Sequence, residues 1–194
     1  MSRSVISFGL LLSLAILPAC NKAEDGNQAA NAAAGDSQGE QGTTIASGLA
    51  QDSHFLAAAK SAGLDATLAG PGPYTVLVPN NAAFAKLPAG TLENLQKPDQ
   101  KGQLTSLLTY HILPGVVLAE DIGKAIDNGK GKALVQTMNG QTLIATKDGG
   151  KIVLSDSSGG KATIVEGDQQ RSNGVVQYVD AILTPGTQAA PAKK

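Results

Sequence analysis

A change of hydrophobic period near the middle of the chain constrains the fold more than any other feature. Before Pro114-Gly115, large apolar residues recur at three- and four-residue steps, which predicts helices. The clearest series is Leu104, Leu107, Leu108 and Ile112. After Gly115 the period becomes two, which predicts strands. Helices gathered early and strands gathered late predict an α+β fold with a mostly antiparallel sheet or sandwich.

Turn-forming residues divide the second half into strands. Asn139-Gly140 is the strongest two-residue hairpin signal, and Gly-rich turns follow at 148–150 and 157–160. A short helix is expected at 119–126. The predicted strands are 133–137, 141–146, 151–154, 162–165 and 175–183.

An earlier buried strand runs directly into a helix at 74–84. Its residues 75–78 are β-branched or aliphatic, Pro79 ends the strand, and Asn80 or Asn81 can cap the helix that follows. Another helix is expected after Asp52 or Ser53, ending at Gly63, and a short helical turn at 64–68. Hydrophobic residues make up 42% of the 194, which is typical of one globular domain.

The first 20 residues predict export and a lipid anchor. Arg3 precedes an apolar run at 5–17 that is too short to span a bilayer comfortably. The run ends in Leu-Pro-Ala-Cys at 17–20, which resembles the bacterial lipoprotein signal, and Cys20 is the single cysteine. We therefore expect 1–19 to be removed and Cys20 to be lipidated; the alternative is an ordinary signal peptide with a free thiol. Asn21 favours the outer membrane, because Asp is the inner-membrane retention signal there in Gram-negative bacteria.

Composition then predicts the domain boundaries. Residues 20–44 comprise Cys20 and a polar segment with almost no large apolar residue, which is typical of a flexible tether. As a random coil this tether would hold the domain on the order of 25 Å from the anchor. The folded domain is expected at 45–186 and a flexible tail at 187–194.

Three ordered motifs together resemble the fasciclin-domain family. The first is TVLVPNNAAF at 75–84, the second is YHILPG at 110–115, and the third is NGVVQYVDAIL at 173–183. The resemblance covers about 45–185, and it implies a wedge of about seven strands with helices packed over it. It also implies adhesion or surface interactions without catalysis. Gln177 departs from the family, because the third motif often carries a histidine at that position.

These motifs supply the candidate interaction residues Tyr110, His111 and Pro114 from the second motif, and Asn173, Gly174 and Asp180 from the third. In animal relatives the tyrosine-histidine motif is implicated in integrin binding. However, Leu107, Leu108 and Ile112 surround the pair with residues that favour the interior, so a structural role is the preferred interpretation. Asp180 is expected to accept a hydrogen bond from a neighbouring donor, and Asn173-Gly174 to form the turn before the last strand.

The sequence predicts an interaction module rather than an enzyme. It lacks a nucleophile elbow, a P-loop and a zinc-binding His-Glu-x-x-His motif, so we predict no catalytic residues, metal or cofactor. A net charge of −1 and 3% aromatic residues argue against nucleic acid. The expected partners are the membrane, through lipidated Cys20, and a surface or matrix protein or polysaccharide. The alternative function is a periplasmic or surface protein that binds a small apolar ligand between helices and sheet.

Overall fold

The computed structural model of the chain describes residues 42–186. The predicted signal, Cys20, most of the tether and the tail lie outside these residues. The described helices are α1 (Ile45–Gly48), α2 (His54–Ala62), α3 (Asp65–Ala69), α4 (Asn81–Ala85), α5 (Thr91–Leu95), α6 (Lys101–Tyr110) and α7 (Ala119–Asn128), with a 3₁₀ turn at Pro98–Gln100. The strands are β1 (Tyr74–Pro79), β2 (Ile112–Pro114), β3 (Ala133–Gln136), β4 (Thr142–Asp148), β5 (Lys151–Ser155), β6 (Lys161–Arg171) and β7 (Gly174–Val179).

These strands form one seven-stranded sheet in the order β2-β1-β7-β6-β5-β4-β3. Only the β1 and β7 pair is parallel among the described pairs; the others are antiparallel. The backbone N–H of Met138, just after β3, donates to the carbonyl of Ile112 in β2 at 2.8 Å. The two ends of the sheet therefore meet, and the sheet is nearly closed. The predicted α+β fold with about seven mostly antiparallel strands is confirmed.

The helix starts follow the capping signals in the sequence. The side chains of Ser53 and Asn80 accept hydrogen bonds from the first turns of α2 and α4. Gly63 ends α2 in the left-handed conformation with φ +77°. Among the described residues, no helix is long and apolar enough to cross a membrane.

Three boundaries predicted from the sequence are wrong. The helical spacing was expected to continue to Ile112, but α6 ends at Tyr110 and Ile112 begins β2. Ile112 is buried because β2 pairs with β1, where Ile112 lies opposite Val76. The last strand ends at Val179 instead of 183, and β6 continues to 171 through two register shifts.

The core has two parts, and β1 contributes to both. Val76 and Val78 pack with α1, α2 and α6, whereas Leu77 packs with α7 and the strands from β3 to β6. A strand buried on both faces has a nearly continuous apolar sequence, which explains Val76, Leu77 and Val78. Phe84 and Ile182, from the first and third motifs, are only partly buried.

Candidate functional site

The histidine of the tyrosine-histidine motif is fully buried and bonds on both sides of its ring. Nδ1 of His111 lies 2.9 Å from the carbonyl oxygen of Leu107, and Nε2 lies 3.2 Å from the backbone nitrogen of Leu183. A carbonyl only accepts and an amide N–H only donates, so Nδ1 carries the proton and Nε2 accepts. The neutral ring thus joins α6 to the segment that follows β7.

Burial is the largest influence on the charge of this ring. It lowers the pKa of His111 to about 4 from the ordinary 6.5, although the Leu107 carbonyl and the Asp156 carboxylate act in the opposite direction. The neutral form that the two hydrogen bonds require is therefore the form present at neutral pH.

We expect this shift to make the domain sensitive to mild acid. The unfolded chain binds a proton at His111 near pH 6.5 and the folded chain only near pH 4. The contribution of His111 to the free energy of unfolding is therefore fully present above pH 6.5 and decreases as the pH falls toward 4. The expected loss between pH 7 and pH 5 is about 2 kcal/mol. Urea unfolding at both pH values measures it, with His111→Gln as the reference. If the variant loses as much stability as the native chain, His111 is not the group responsible.

Tyr110 is also inside the core, with its ring nearly perpendicular to that of His111. Burial raises the pKa of the Tyr110 hydroxyl, the negative charge of Asp156 raises it further, and the backbone of Ser157 lowers it. The hydroxyl makes no hydrogen bond of standard geometry to the described residues. The hydroxyl therefore lies beside the 156–160 turn. The burial of both rings favours a structural role for the motif.

Asp156 is a buried polar residue that the sequence did not single out. Its Oδ1 accepts from the backbone N–H groups of Ser158 at 2.8 Å and Gly160 at 2.7 Å. Its Oδ2 accepts from the backbone N–H of Thr184 at 2.9 Å and faces the Thr184 hydroxyl at 3.3 Å. One carboxylate thus orders the turn between β5 and β6 and holds the segment after β7.

His111 and Asp156 therefore bind adjacent residues of the same segment. We define the C-terminal segment as residues 180–186; Leu183 bonds to His111 and Thr184 to Asp156. Asp180 begins this segment, and its Oδ1 accepts from the backbone N–H of Thr163 at 2.6 Å. The candidate residues His111 and Asp180 thus both serve to fix this segment against the rest of the domain.

Asn173 and Gly174 lie elsewhere, at the start of β7. Asn173 Oδ1 accepts from the backbone N–H of Ile45, and its Nδ2 donates to the carbonyls of Leu68 and Gly70 at 2.9 and 2.7 Å. Gly174 has φ +153°, and a Cβ there would collide with the carbonyl oxygen of Tyr74. This part of the third motif therefore joins α1, α3 and β1.

Pro114 is the one exposed residue among these candidates. It ends β2 opposite Tyr74 in the register, and Gly115 follows with φ +86°. The turn is held from inside, because the hydroxyl of Thr75 donates to the Gly115 carbonyl and accepts from the backbone N–H of Val117, both at 2.8 Å.

Gln177, where the family often has histidine, is fully buried and makes its own network. Its Nε2 donates to Asp168 Oδ1 at 2.7 Å and to the carbonyl of Val117 at 3.2 Å, and its Oε1 accepts from the backbone N–H of Asp168 at 3.0 Å. Asp168 Oδ1 also accepts from the N–H of Ala119, at the start of α7. The amide therefore joins the irregular part of β6 to α7 without an imidazole.

An open groove of about 760 Å³ lies next to the C-terminal segment. Its walls come from α5, α6, the turn between β3 and β4, and the C-terminal segment; the described lining residues are uncharged and include Leu87, Leu95, Leu107, Ile182 and Pro185. Asn139 donates to Ser106 in α6, and Gln141 donates to the carbonyl of Gly186 at 3.0 Å, so the turn connects two walls. By contrast, the void beside His111 inside the core is only about 10 Å³.

Comparisons with known proteins agree with the fold. A family described as "Fasciclin domain" matches residues 50–185. "Protein sll1483" of Synechocystis is 36% identical over 141 residues, which cover 73% of this chain and 71% of that protein. "Cell surface glycolipoprotein MPB83" of Mycobacterium bovis is 35% identical over 117 residues, which cover 60% of this chain and 46% of that protein.

A solved structure has the same fold. It is described as a FAS1 domain pair from the insect cell adhesion molecule fasciclin I, and the TM-score is 0.54 at 20% identity. The match covers 69% of this chain and 45% of the insect chain. The family resemblance inferred from the three motifs is confirmed.

Proposed function

This chain belongs to the fasciclin-domain family, and from that premise we propose that it is a lipid-anchored, non-enzymatic adhesion or protein-interaction module. The domain would be held in the periplasm or at the cell surface, by Cys20 in the outer membrane. The lipoprotein-like sequence before Cys20 supports this proposal, and so does the similarity to a protein named a cell surface glycolipoprotein. The fold neighbour comes from a protein named a cell adhesion molecule.

The observation that carries the proposal is the groove beside the C-terminal segment. The buried side chains of His111 and Asp156 accept hydrogen bonds from the backbone of the C-terminal segment, and these bonds fix one wall of the groove. The groove is open, mostly apolar and uncharged among its described lining residues. An extended peptide with small, neutral side chains fits such a surface, because apolar walls favour burial and the Ser, Thr, Asn and Gln side chains can bond its backbone.

Replacing Cys20 tests the anchor. Several acyl chains give stable membrane attachment, whereas an unmodified chain has none. We expect Cys20→Ala to move the protein from the membrane fraction into the soluble exported fraction, with loss of metabolic labelling by radioactive palmitate. If both forms fractionate alike and neither is labelled, the lipid anchor is wrong.

Site-specific photo-cross-linking in living cells tests the groove. A photoreactive phenylalanine analogue replaces Gln103, an exposed groove residue, and in a control replaces Lys60, an exposed residue of α2. We expect protein adducts from position 103 that are absent from position 60. Equal adducts from both positions, or none from position 103, would remove the groove as the contact surface.

A second function is favoured by the leucines and isoleucine of the groove. The alternative is the binding of a small apolar ligand, and the open groove has the volume of a ligand site, whereas the void beside His111 does not. Native mass spectrometry of the chain purified from its own cells distinguishes the two functions. A stoichiometric bound lipid or other small apolar molecule that Leu107→Gln displaces would favour this alternative over peptide binding.

A further inference from the structure

Strands β3 to β6 have an outer face, and the residues in the middle of this face are uncharged. Leu134, Ile144, Ser155 and Lys161 lie opposite one another in the register, as a row across four strands. The next row contains Thr146, Val153 and Thr163. Neighbouring strands are about 4.8 Å apart, so the face is roughly 14 Å wide across three spacings.

This outer face exposes three aliphatic side chains to solvent. Leu134 is 76% exposed, Ile144 is 40% exposed and Val165 is 51% exposed. Alternate residues of the same strands are buried on the opposite face, where α7 packs. Lys147 lies on that covered side and bonds to Asp127 of α7 at 2.6 Å. Leu134, Ile144 and Val165 therefore lie on the same exposed face of strands β3 to β6. We call this surface the lysine-bordered face.

Lysines surround the aliphatic groups. Lys132 immediately precedes β3, Lys151 begins β5 and Lys161 begins β6, and all three are exposed. Two exposed carboxylates lie at the border as well, Asp148 opposite Lys151 in the register and Glu166 next to Val165. These three lysines outnumber the two exposed carboxylates, so the five border residues together carry a charge of +1.

We propose that the lysine-bordered face binds the surface of an anionic phospholipid bilayer. Leu134, Ile144 and Val165 would enter the boundary between headgroups and acyl chains, and the lysines would contact the lipid phosphates. A long lysine side chain reaches the headgroups while its methylene groups cover apolar surface. A broad face with exposed aliphatic groups and lysines matches such a surface in shape and charge.

This inference rests on the proposed function, because the lipid anchor at Cys20 would hold the domain near a membrane. A chain anchored at Cys20 would hold the domain on the order of 25 Å from the bilayer, so even weak binding would orient the domain. The groove and the lysine-bordered face are lined by different residues. Binding to the bilayer would therefore leave the groove residues free for a partner.

Vesicle binding by the unlipidated full chain tests the inference. The Cys20→Ala chain is mixed with vesicles of phosphatidylglycerol and phosphatidylcholine in equal parts, or of phosphatidylcholine alone, and sedimented with them at low and high salt. We expect binding to the anionic vesicles at low salt, at least tenfold stronger than to the neutral ones and weakened by salt. Equal binding to both, or none to either, would overturn the inference.

Variants of the lysine-bordered face test whether this face is the one that contacts the vesicle. Each lysine near an anionic surface contributes about a fivefold factor, so Lys132→Gln, Lys151→Gln and Lys161→Gln together should reduce vesicle binding at least tenfold. The control combines Lys60→Gln, Lys97→Gln and Lys101→Gln, the same charge change on the helical side, and should bind as the parent does. Leu134→Ser should weaken binding without lowering the melting temperature, because Leu134 is exposed.

Other occupants of the face give different results. Retention on polyglutamate beads without vesicle binding would indicate an acidic protein partner and overturn the membrane inference. A concentration-dependent dimer that Leu134→Ser dissociates would indicate a second copy of the chain and overturn it too. None of these outcomes bears on the lipid anchor, which the Cys20→Ala fractionation tests separately.

Discussion

Replacing Asp156 with alanine should destabilise the domain by about 3 to 5 kcal/mol. The variant leaves three backbone N–H groups without their acceptor, those of Ser158, Gly160 and Thr184. Hydrogen bonds to a charged acceptor contribute more than neutral ones, and donors left unpaired in a buried site add a desolvation cost. Urea unfolding at pH 7 measures the loss.

Two further variants make the Asp156 result specific. Asp156→Asn keeps one acceptor oxygen, so its free energy of unfolding should lie between those of the native chain and Asp156→Ala. Asp148→Ala removes an exposed aspartate from the same sheet and should change the free energy of unfolding by less than about 0.5 kcal/mol. If Asp156→Ala unfolds as the Asp148→Ala control does, the carboxylate does not hold the two segments together.

Replacing His111 with alanine should cost about 3 to 4 kcal/mol. The change leaves the Leu107 carbonyl and the Leu183 N–H unpaired, and it removes a ring that packs against Phe55 and Tyr110. The void beside this ring is already present but small, so the core would have to tolerate a larger cavity. Thermal and urea unfolding measure the effect.

The chain contains a matched control for His111. His54 is exposed at the start of α2 and contacts Phe84 with a ring-centroid distance of 5.5 Å. His54→Ala makes the same chemical change at the surface and should cost less than about 1 kcal/mol. Comparable losses in the two variants would contradict the structural role of His111.

Much of the fold could be predicted because its signals are local. Asn139-Gly140 and the Gly-rich turn at 148–150 mark the hairpins, and Ser53 and Asn80 cap the helices. These signals depend on residues within a few positions of one another, so periodicity and turn chemistry are sufficient. The end of α6 was misplaced because Ile112 has the helical spacing but is buried by pairing with β1.

The candidate site was harder to predict because its contacts join distant segments. Asp156 begins an Asp-Ser-Ser-Gly-Gly run, where aspartate is expected as an ordinary turn residue, and its bond to Thr184 spans 28 positions. Gln177 stood out only as a departure from the family, and its partner Asp168 lies in an irregular part of β6 that periodicity does not reveal. The groove likewise needs four separate segments before it exists.

The central claim is that the tyrosine-histidine motif acts through the C-terminal segment, by fixing one wall of the groove. Residue-resolved amide hydrogen exchange on His111→Gln, compared with the native chain at pH 7, tests this claim most directly. We expect the amide of Leu183 to lose at least tenfold more protection than the amide of Val176 in β7, because Leu183 donates directly to the replaced ring. Equal losses at both amides, or unchanged protection of Leu183, would contradict the claim.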